Sequence, residues 1–472
     1  MVYDTIELVN MSAYMILAIG VIIPLTKIIN LHETKLPYAL TWISTIFMGI
    51  AACTLLNATA ANTVTMFNGL VVYDKFSSFM LAITVISSAL LLIAITGRAE
   101  KWSTSPAYYS LLALIQFGII YAIGINDALL LLALWLLISV ASYVVIALPK
   151  DRESVKGSVK YAFMGSLATL FLATWVAFQL FTTPRTASLA FELKAYTLTK
   201  TTLLAFGAFI TALGFKLGIT PFHWWLPDVY GKANGYGVAL VGGIVKVAFI
   251  AIAARVLYII SAGPIGETVF YMLAAFAVAS MLWGNIAALT TRNLQRILAY
   301  SSIAHIGYIS VGFSVIAYAS ASGMQKLAMM ALAATALHAA AYSISKTPLF
   351  AVLGEGFTDL NVLKGLYRRD PTAAVSIIIL LLSLLGLPPL LGFWGKLYLF
   401  LAAAPVSMAL VVIALINSGI SALYYGIAIR DIISTEPGEA VYDDTRRGAL
   451  VIAAALIIAI GLIAPVIFSL LT

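Results

Sequence analysis

Apolar residues run through this chain in long blocks that do not alternate at period two, and short polar stretches separate them. The blocks lie at roughly 8–29, 36–57, 76–96, 107–125, 128–148, 158–181, 201–230, 236–260, 268–290, 296–318, 326–353, 372–402, 405–429 and 448–471. As a helix, each is long enough to cross about 30 Å of hydrocarbon. Backbone polar groups in lipid need partners within their own segment, so blocks this apolar form helices, whereas barrel strands would alternate. The pattern predicts an all-α membrane protein of about 14 transmembrane helices in a single integral domain spanning 1–472. No lysine or arginine precedes the first block and no small-residue cleavage site follows it, so a retained helix is expected there, not a signal peptide.

Composition narrows the chemistry. Hydrophobic residues make up 62% of the chain and charged residues 10%, so water is not its main solvent. The single cysteine, Cys53, excludes an intrachain disulfide, a cysteine-ligated iron–sulfur cluster and a structural zinc site. His32, His223, His305 and His338 are scattered without metal-ligand spacing, and no metal is expected. Phosphate loops, nicotinamide fingerprints and nucleophile elbows are absent from the sequence. The net charge of +8 comes from dispersed residues and is better explained by topology than by nucleic-acid binding.

Seventeen of the 27 lysines and arginines fall in loops that follow odd-numbered blocks, from Lys27 and Lys35 to Arg446 and Arg447. The opposite side holds Lys75, Arg185, Lys194, Lys200, Lys326 and, near its edge, Arg255. The positive-inside rule makes the richer face cytoplasmic, which puts both termini on the outer face and requires an even number of crossings. Lys216, Lys246, Lys346 and Lys396 remain, and all four lie within predicted helices. A lysine at the bilayer centre costs about 2.5–3.5 kcal/mol on insertion scales unless it snorkels, pairs or faces a wet cavity. Snorkelling at an interface is the bland explanation, and it fits Lys246, about ten residues from either end of its block, least well. The alternative is that amines held out of water exchange protons, and a row of them linked by histidines and hydroxyls forms a proton path.

Blocks 201–230 and 372–402 are too long for one straight crossing and carry internal prolines. Gly214-Phe215-Lys216-Leu217-Gly218-Ile219-Thr220-Pro221-Phe222-His223 and Gly386-Leu387-Pro388-Pro389-Leu390-Leu391-Gly392-Phe393-Trp394-Gly395-Lys396 each predict a broken helix beside a lysine. The two breaks lie five helices apart, so they occupy matching places in two five-helix units of inverted topology, 107–260 and 268–429, with helices 1–3 and 14 peripheral. Helix packing alone is the other reading of such prolines and glycines.

Gly214-Phe215-Lys216 followed by Pro221-Phe222-His223-Trp224-Trp225-Leu226-Pro227-Asp228-Val229-Tyr230 resembles the signature of the antiporter-like subunits of respiratory complex I, closest to subunit N. Asn126-Asp127, Lys160-Tyr161, the run from Arg296 to Tyr308 and Gly392-Phe393-Trp394-Gly395-Lys396 resemble the same family, which also includes Mrp antiporter and membrane-bound hydrogenase subunits. The resemblance implies fourteen helices with two inverted five-helix repeats, broken helices seven and twelve, and a central polar axis. It also implies proton-carrying lysines in helices seven, eight and twelve, which match Lys216, Lys246 and Lys396.

Two departures stand out. The family's helix-five glutamate, the partner of the helix-seven lysine, is replaced by Trp135 in Leu134-Trp135-Leu136-Leu137, which leaves charge coupling in the N-terminal half without its acid. His338, Tyr342 and Lys346 follow at four-residue spacing and resemble the helix-eleven pattern of subunit M and of Mrp-type antiporters, with tyrosine in place of a second histidine. That spacing shares a helix face and suits either a relay or bonds to adjacent helices. His305 is a candidate for the central path and His223 for a water gate.

The expected function is a proton-translocating, antiporter-like subunit of a complex I type oxidoreductase, using NADH or another donor and quinone, with no redox centre of its own. Quinone and iron–sulfur clusters are expected in partner subunits, and the partners are other membrane subunits in the cell membrane of a prokaryote. The alternatives are an Mrp-like sodium/proton antiporter or membrane-bound hydrogenase subunit, and a proton-silent structural subunit.

Overall fold

The structure, a computed structural model, describes residues 2–29, 34–182, 188–189, 200–261, 265–353 and 358–472. His32, Arg185 and Lys194 lie outside the described residues. The chain opens with α1 (Val2–Ile22) and α2 (Leu36–Thr59), followed by strands β1 (Val64–Met66) and β2 (Val71–Tyr73). Then come α3 (Lys75–Ile95), α4 (Ser105–Ile123), α5 (Ala128–Ala147), α6 (Arg152–Thr182), α7 (Lys200–Leu217), α8 (Trp225–Tyr230) and α9 (Gly235–Ile260). The second half contributes α10 (Gly266–Ala288), α11 (Leu294–Ala321), α12 (Gln325–Val352), α13 (Pro371–Leu385), α14 (Leu391–Ala403), α15 (Met408–Ile433) and α16 (Asp444–Leu471).

Among the described residues, 12 helices are long and apolar enough to span a membrane, and α7, α13 and α14 are shorter apolar pieces. The protein is a multi-pass, all-α membrane protein. Its centre is identified by burial: the most apolar stretch of α9 is wholly enclosed and that of α11 nearly so, while α6 and α16 leave two-thirds of theirs on the outside. Small residues allow close approach of backbones where lipid supplies no hydrophobic drive. A Cβ on Gly284 would come within 2.5 Å of the Ala304 nitrogen, so α10 and α11 touch backbone to backbone. α3 also reaches the centre, where Ser87 Oγ lies 2.6 Å from Ser343 Oγ of α12.

The β1–β2 hairpin has no counterpart in the hydropathy pattern, since three-residue strands are too short to register there. It is pinned to the start of α5 by Val72 N–H donating to Gly124 O at 2.7 Å and Asn126 N–H donating to Leu70 O at 2.9 Å. Helix ends carry the ion pairs. Arg255, buried in α9, donates to Asp74 at the α3 N-cap at 2.9 Å and to Ile125 O at 2.8 Å. Asp228 meets Lys160 and Lys232, Arg292 meets Asp431 and Arg447 meets Asp370.

Asp443 shows how such a residue starts a helix. Its carboxylate accepts the Arg446 N–H at 3.0 Å, capping α16, and also holds Arg98 of the α3–α4 loop. Burial alone would raise its pKa, but the Arg98 guanidinium and the Arg446 N–H hold it well below the usual carboxylate range. Asp443→Ala is expected to cost about 1–2 kcal/mol, seen as a lower Tm of the purified protein. A depressed folded-state pKa makes that contribution complete at neutral pH and lost only as pH falls below about 4. The Tm gap should therefore close in acid.

Candidate functional site: a buried lysine and histidine axis

Both predicted breaks are present. α13 ends in a left-handed Gly386 (φ +94), whose N–H donates to Ser383 O at 3.0 Å while Leu387 N–H donates to Leu382 O at 3.1 Å. Glycine is required there because a side chain disfavours positive φ. The carbonyl of Leu385 is left free by the break and accepts Lys396 Nζ from α14 at 2.7 Å, and Ser418 Oγ of α15 accepts the same amine at 2.9 Å. The first break follows the same logic. Gly218 (φ +75) turns the chain after Lys216, and the freed Phe215 carbonyl accepts the Trp225 indole N–H at 2.9 Å.

Lys246 is positioned by another irregularity. Residues Leu240–Val245 form a π-helical turn just before it, and such turns recur at functional sites. Gly243 within the turn lies so close to α12 that a Cβ would fall 1.9 Å from Thr347 Oγ1.

All four lysines are at least 95% buried, so the structure brings none of them to the surface. Among the described residues, no carboxylate pairs with any of them. Their partners are carbonyls, hydroxyls and aromatic faces. Lys246 Nζ lies 3.4 Å from Ser302 O and 5.7 Å from the rings of Tyr230 and Tyr342. Lys346 donates to Leu298 O at 2.6 Å and to Ser301 Oγ at 2.7 Å. Ser301 Oγ lies 2.6 Å from the Tyr425 hydroxyl, which in turn lies 3.5 Å from His305 Nε2. His305 Nδ1 meets His338 Nε2 at 3.1 Å. Tyr308 rests between the His338 ring, 6.0 Å away, and the Lys396 ammonium, 4.7 Å above its centroid.

His338, Tyr342 and Lys346 share a face of α12 as their spacing requires, and the Lys346 ammonium lies 5.8 Å from the Tyr342 ring, but no hydrogen bond joins them. Each reaches across to α11: His338 to His305, Tyr342 to Ser302 Oγ at 3.1 Å, and Lys346 to Ser301. These contacts therefore form a zipper between two helices. A fixed rise of 6 Å per four residues separates the polar tips along a helix, whereas a facing helix closes that gap.

Lys216 stands apart. Its Nζ donates to Ser139 Oγ at 2.7 Å and faces the rings of Phe249, Tyr143, Tyr161 and Trp135. No side-chain hydrogen bond joins it to Lys246 among the described residues, and the aromatic chain Tyr161–Trp225–Tyr230 lies between them. His223 sits in the first break with its ring against Trp283, 5.3 Å between centroids, and bonds to none of the lysines. Trp135 is fully buried at the position where the resemblance implies an acid.

Residues 125–421 match the transmembrane family described as NADH:quinone oxidoreductase/Mrp antiporter. The chain belongs to that family. It is 33% identical over 370 residues to NADH-quinone oxidoreductase subunit N 2 of Koribacter versatilis, covering 77% of this chain and 73% of that one. It resembles a chain of respiratory complex I from Thermus thermophilus with bound aureothin at 26% identity and TM-score 0.78, covering 97% and 98%. A chain of the Mrp complex from a Dietzia species shares the fold at TM-score 0.85 and 20% identity, covering 99% and 96%.

The matched stretch takes in Trp135 and all four lysines. Tyr425, which joins Ser301 to His305, lies just beyond it. Tyr425, Ser418 and Ser139 do not stand out in the sequence, because a hydroxyl inside an apolar block costs little and barely disturbs hydropathy. One signal was present: Asn417, Ser418, Ser421, Tyr424 and Tyr425 recur at helical spacing and mark a polar stripe on α15.

Proposed function

We propose that this chain is a proton-translocating, antiporter-like subunit of a quinone-reducing respiratory complex, with no redox centre of its own. The observation that carries the reading is the thread from Lys346 through Ser301, Tyr425 and His305 to His338, carried on α11 and α12, two of the most buried helices of the bundle, with buried Tyr425 contributed by α15. Titratable groups kept out of bulk water and within hydrogen-bond reach of one another are what a proton relay requires. Lys246 shares the Tyr342 ring with Lys346, at 5.7 and 5.8 Å, and Lys396 meets the Tyr308 ring that also contacts His338. Protons are taken up from the cytoplasmic side near Lys216 and Lys246, pass along the histidines and leave through Lys396. The free energy comes from electron transfer in neighbouring subunits, which hold the quinone and the iron–sulfur clusters.

The same reading counts fourteen crossings: the twelve long spans plus α7 with α8, and α13 with α14, as two broken ones. Two inverted five-helix repeats then place the breaks symmetrically, and an even number leaves both termini outside the cell membrane of a prokaryote. What supports this is the matched build of the breaks, each with a left-handed glycine, a freed carbonyl and a lysine.

Lys246→Ala and Lys396→Ala, made singly in the assembled complex, are expected to lower protons pumped per electron severalfold in vesicles at matched assembly. Unchanged pumping in both would leave a proton-silent scaffold, and an obligatory sodium requirement would overturn the proton-only version. The same preparation, purified natively, is expected to carry quinone-reducing partner subunits.

A further inference from the structure

The Lys216 ammonium is enclosed by four rings. Phe249 lies 4.4 Å from Nζ, Tyr143 5.1 Å, Tyr161 5.4 Å and Trp135 5.9 Å, measured to ring centroids. The rings hold one another in place. Trp135 meets Phe249 edge to face at 4.6 Å, Tyr143 meets Tyr161 edge to face at 4.7 Å, and Tyr161 stacks on Trp225 at 4.7 Å. Gly165 of α6 makes the room: a Cβ there would fall 1.8 Å from the Tyr143 hydroxyl oxygen. Among the described residues the one hydrogen-bond partner of Lys216 Nζ is Ser139, a neutral hydroxyl. Among the described residues, no carboxylate pairs with this amine.

A buried ammonium ordinarily needs an opposite charge, because desolvation is otherwise uncompensated. Aromatic faces carry a negative quadrupole and attract a cation, more strongly where water is absent. Rings that serve only as core packing have no reason to turn towards a charged tip. We propose that Trp135, Tyr143, Tyr161 and Phe249 form an aromatic cage that holds the protonated Lys216 in place of a carboxylate, with Phe249 as its principal positioning residue. This rests on the reading of Lys216 as a proton carrier given above.

The test uses the assembled complex in vesicles, with protons pumped per electron measured at matched assembly. Phe249→Leu is expected to lower pumping roughly fivefold, as loss of the closest cation–π face implies. Phe249→Tyr, which keeps the face, is expected to recover most of it. The decisive variant is Phe249→Leu combined with Trp135→Glu: a carboxylate supplied at that position replaces the lost ring and returns pumping to at least half of the parent value, roughly a salt bridge for a cation–π contact. A ring needed only for packing would not be rescued by a charge, so failure of the double variant overturns the cage. So does parent-like pumping by Phe249→Leu where Lys216→Ala pumps poorly. Parent-like pumping by Lys216→Ala is a different failure, because it removes the carrier role on which the cage depends. If Phe249→Leu does not assemble, Phe249→Met, whose unbranched chain adapts to irregular space, takes its place with the same expectations.

Discussion

Lys346→Met is expected to reduce proton pumping to about a hundredth of the parent rate, the scale on which a positioned proton-transfer group contributes. Lys346 is fully buried on α12, and its amine is the group that ties the α11 backbone at Leu298 to the Ser301 hydroxyl. Methionine matches the length and flexibility of the lysine stem, so the packing survives. The two former acceptors are not stranded. Leu298 O still accepts Ser302 Oγ at 2.8 Å, and Ser301 keeps Tyr425 at 2.6 Å. The folding cost should then be about 1 kcal/mol, with the proton-accepting nitrogen gone. Vesicle acidification at matched assembly is the measurement, and pumping above half of the parent value would remove Lys346 from the path.

The second large effect concerns His305, which stands between the Tyr425 hydroxyl and His338. His305→Leu keeps an apolar side chain in a tightly packed helix pair but leaves nothing to connect Ser301 with the far side. Pumping is expected to fall at least tenfold or so, as for removal of one acid–base group. The more telling result is the double variant. If Lys346 and His305 lie in series, His305→Leu combined with Lys346→Met pumps no worse than the poorer single variant, because one cut already stops the path. Multiplying effects would show two independent routes. Tyr425→Phe should be milder, since its 3.5 Å separation from His305 is near the limit of a hydrogen bond and suits a bridging water.

Much of the site was legible along the chain because burying charge is costly. An ammonium in an apolar block is conspicuous, and Lys216, Lys246, Lys346 and Lys396 were all visible for that reason. The breaks were legible through Thr220-Pro221 and Pro388-Pro389, since proline removes a donor and cannot continue a helix. Three things were not. The hairpin Val64–Tyr73 is too short to produce a hydropathy signal. The π turn before Lys246 leaves only Gly242-Gly243 as a trace, and glycine pairs are common in membrane helices. The partners of the lysines were hidden because serine and tyrosine carry little penalty in either environment.

The amino-acid sequence by itself determined that this is a helical membrane protein, where its helices run, where two of them break, and which four amines lie out of water. Hydropathy, proline chemistry and desolvation are properties of a residue and its near neighbours, and they act before any helix meets another. Only the tertiary structure decided that His338, Tyr342 and Lys346 bond to α11 and not to one another, that Tyr425 bridges Ser301 and His305, and that Lys216 faces aromatic rings. Those contacts join residues from 33 to 124 positions apart, and their geometry depends on how helix faces are rotated about their axes. Rotation of one helix against another is fixed by packing, and period and composition do not encode it.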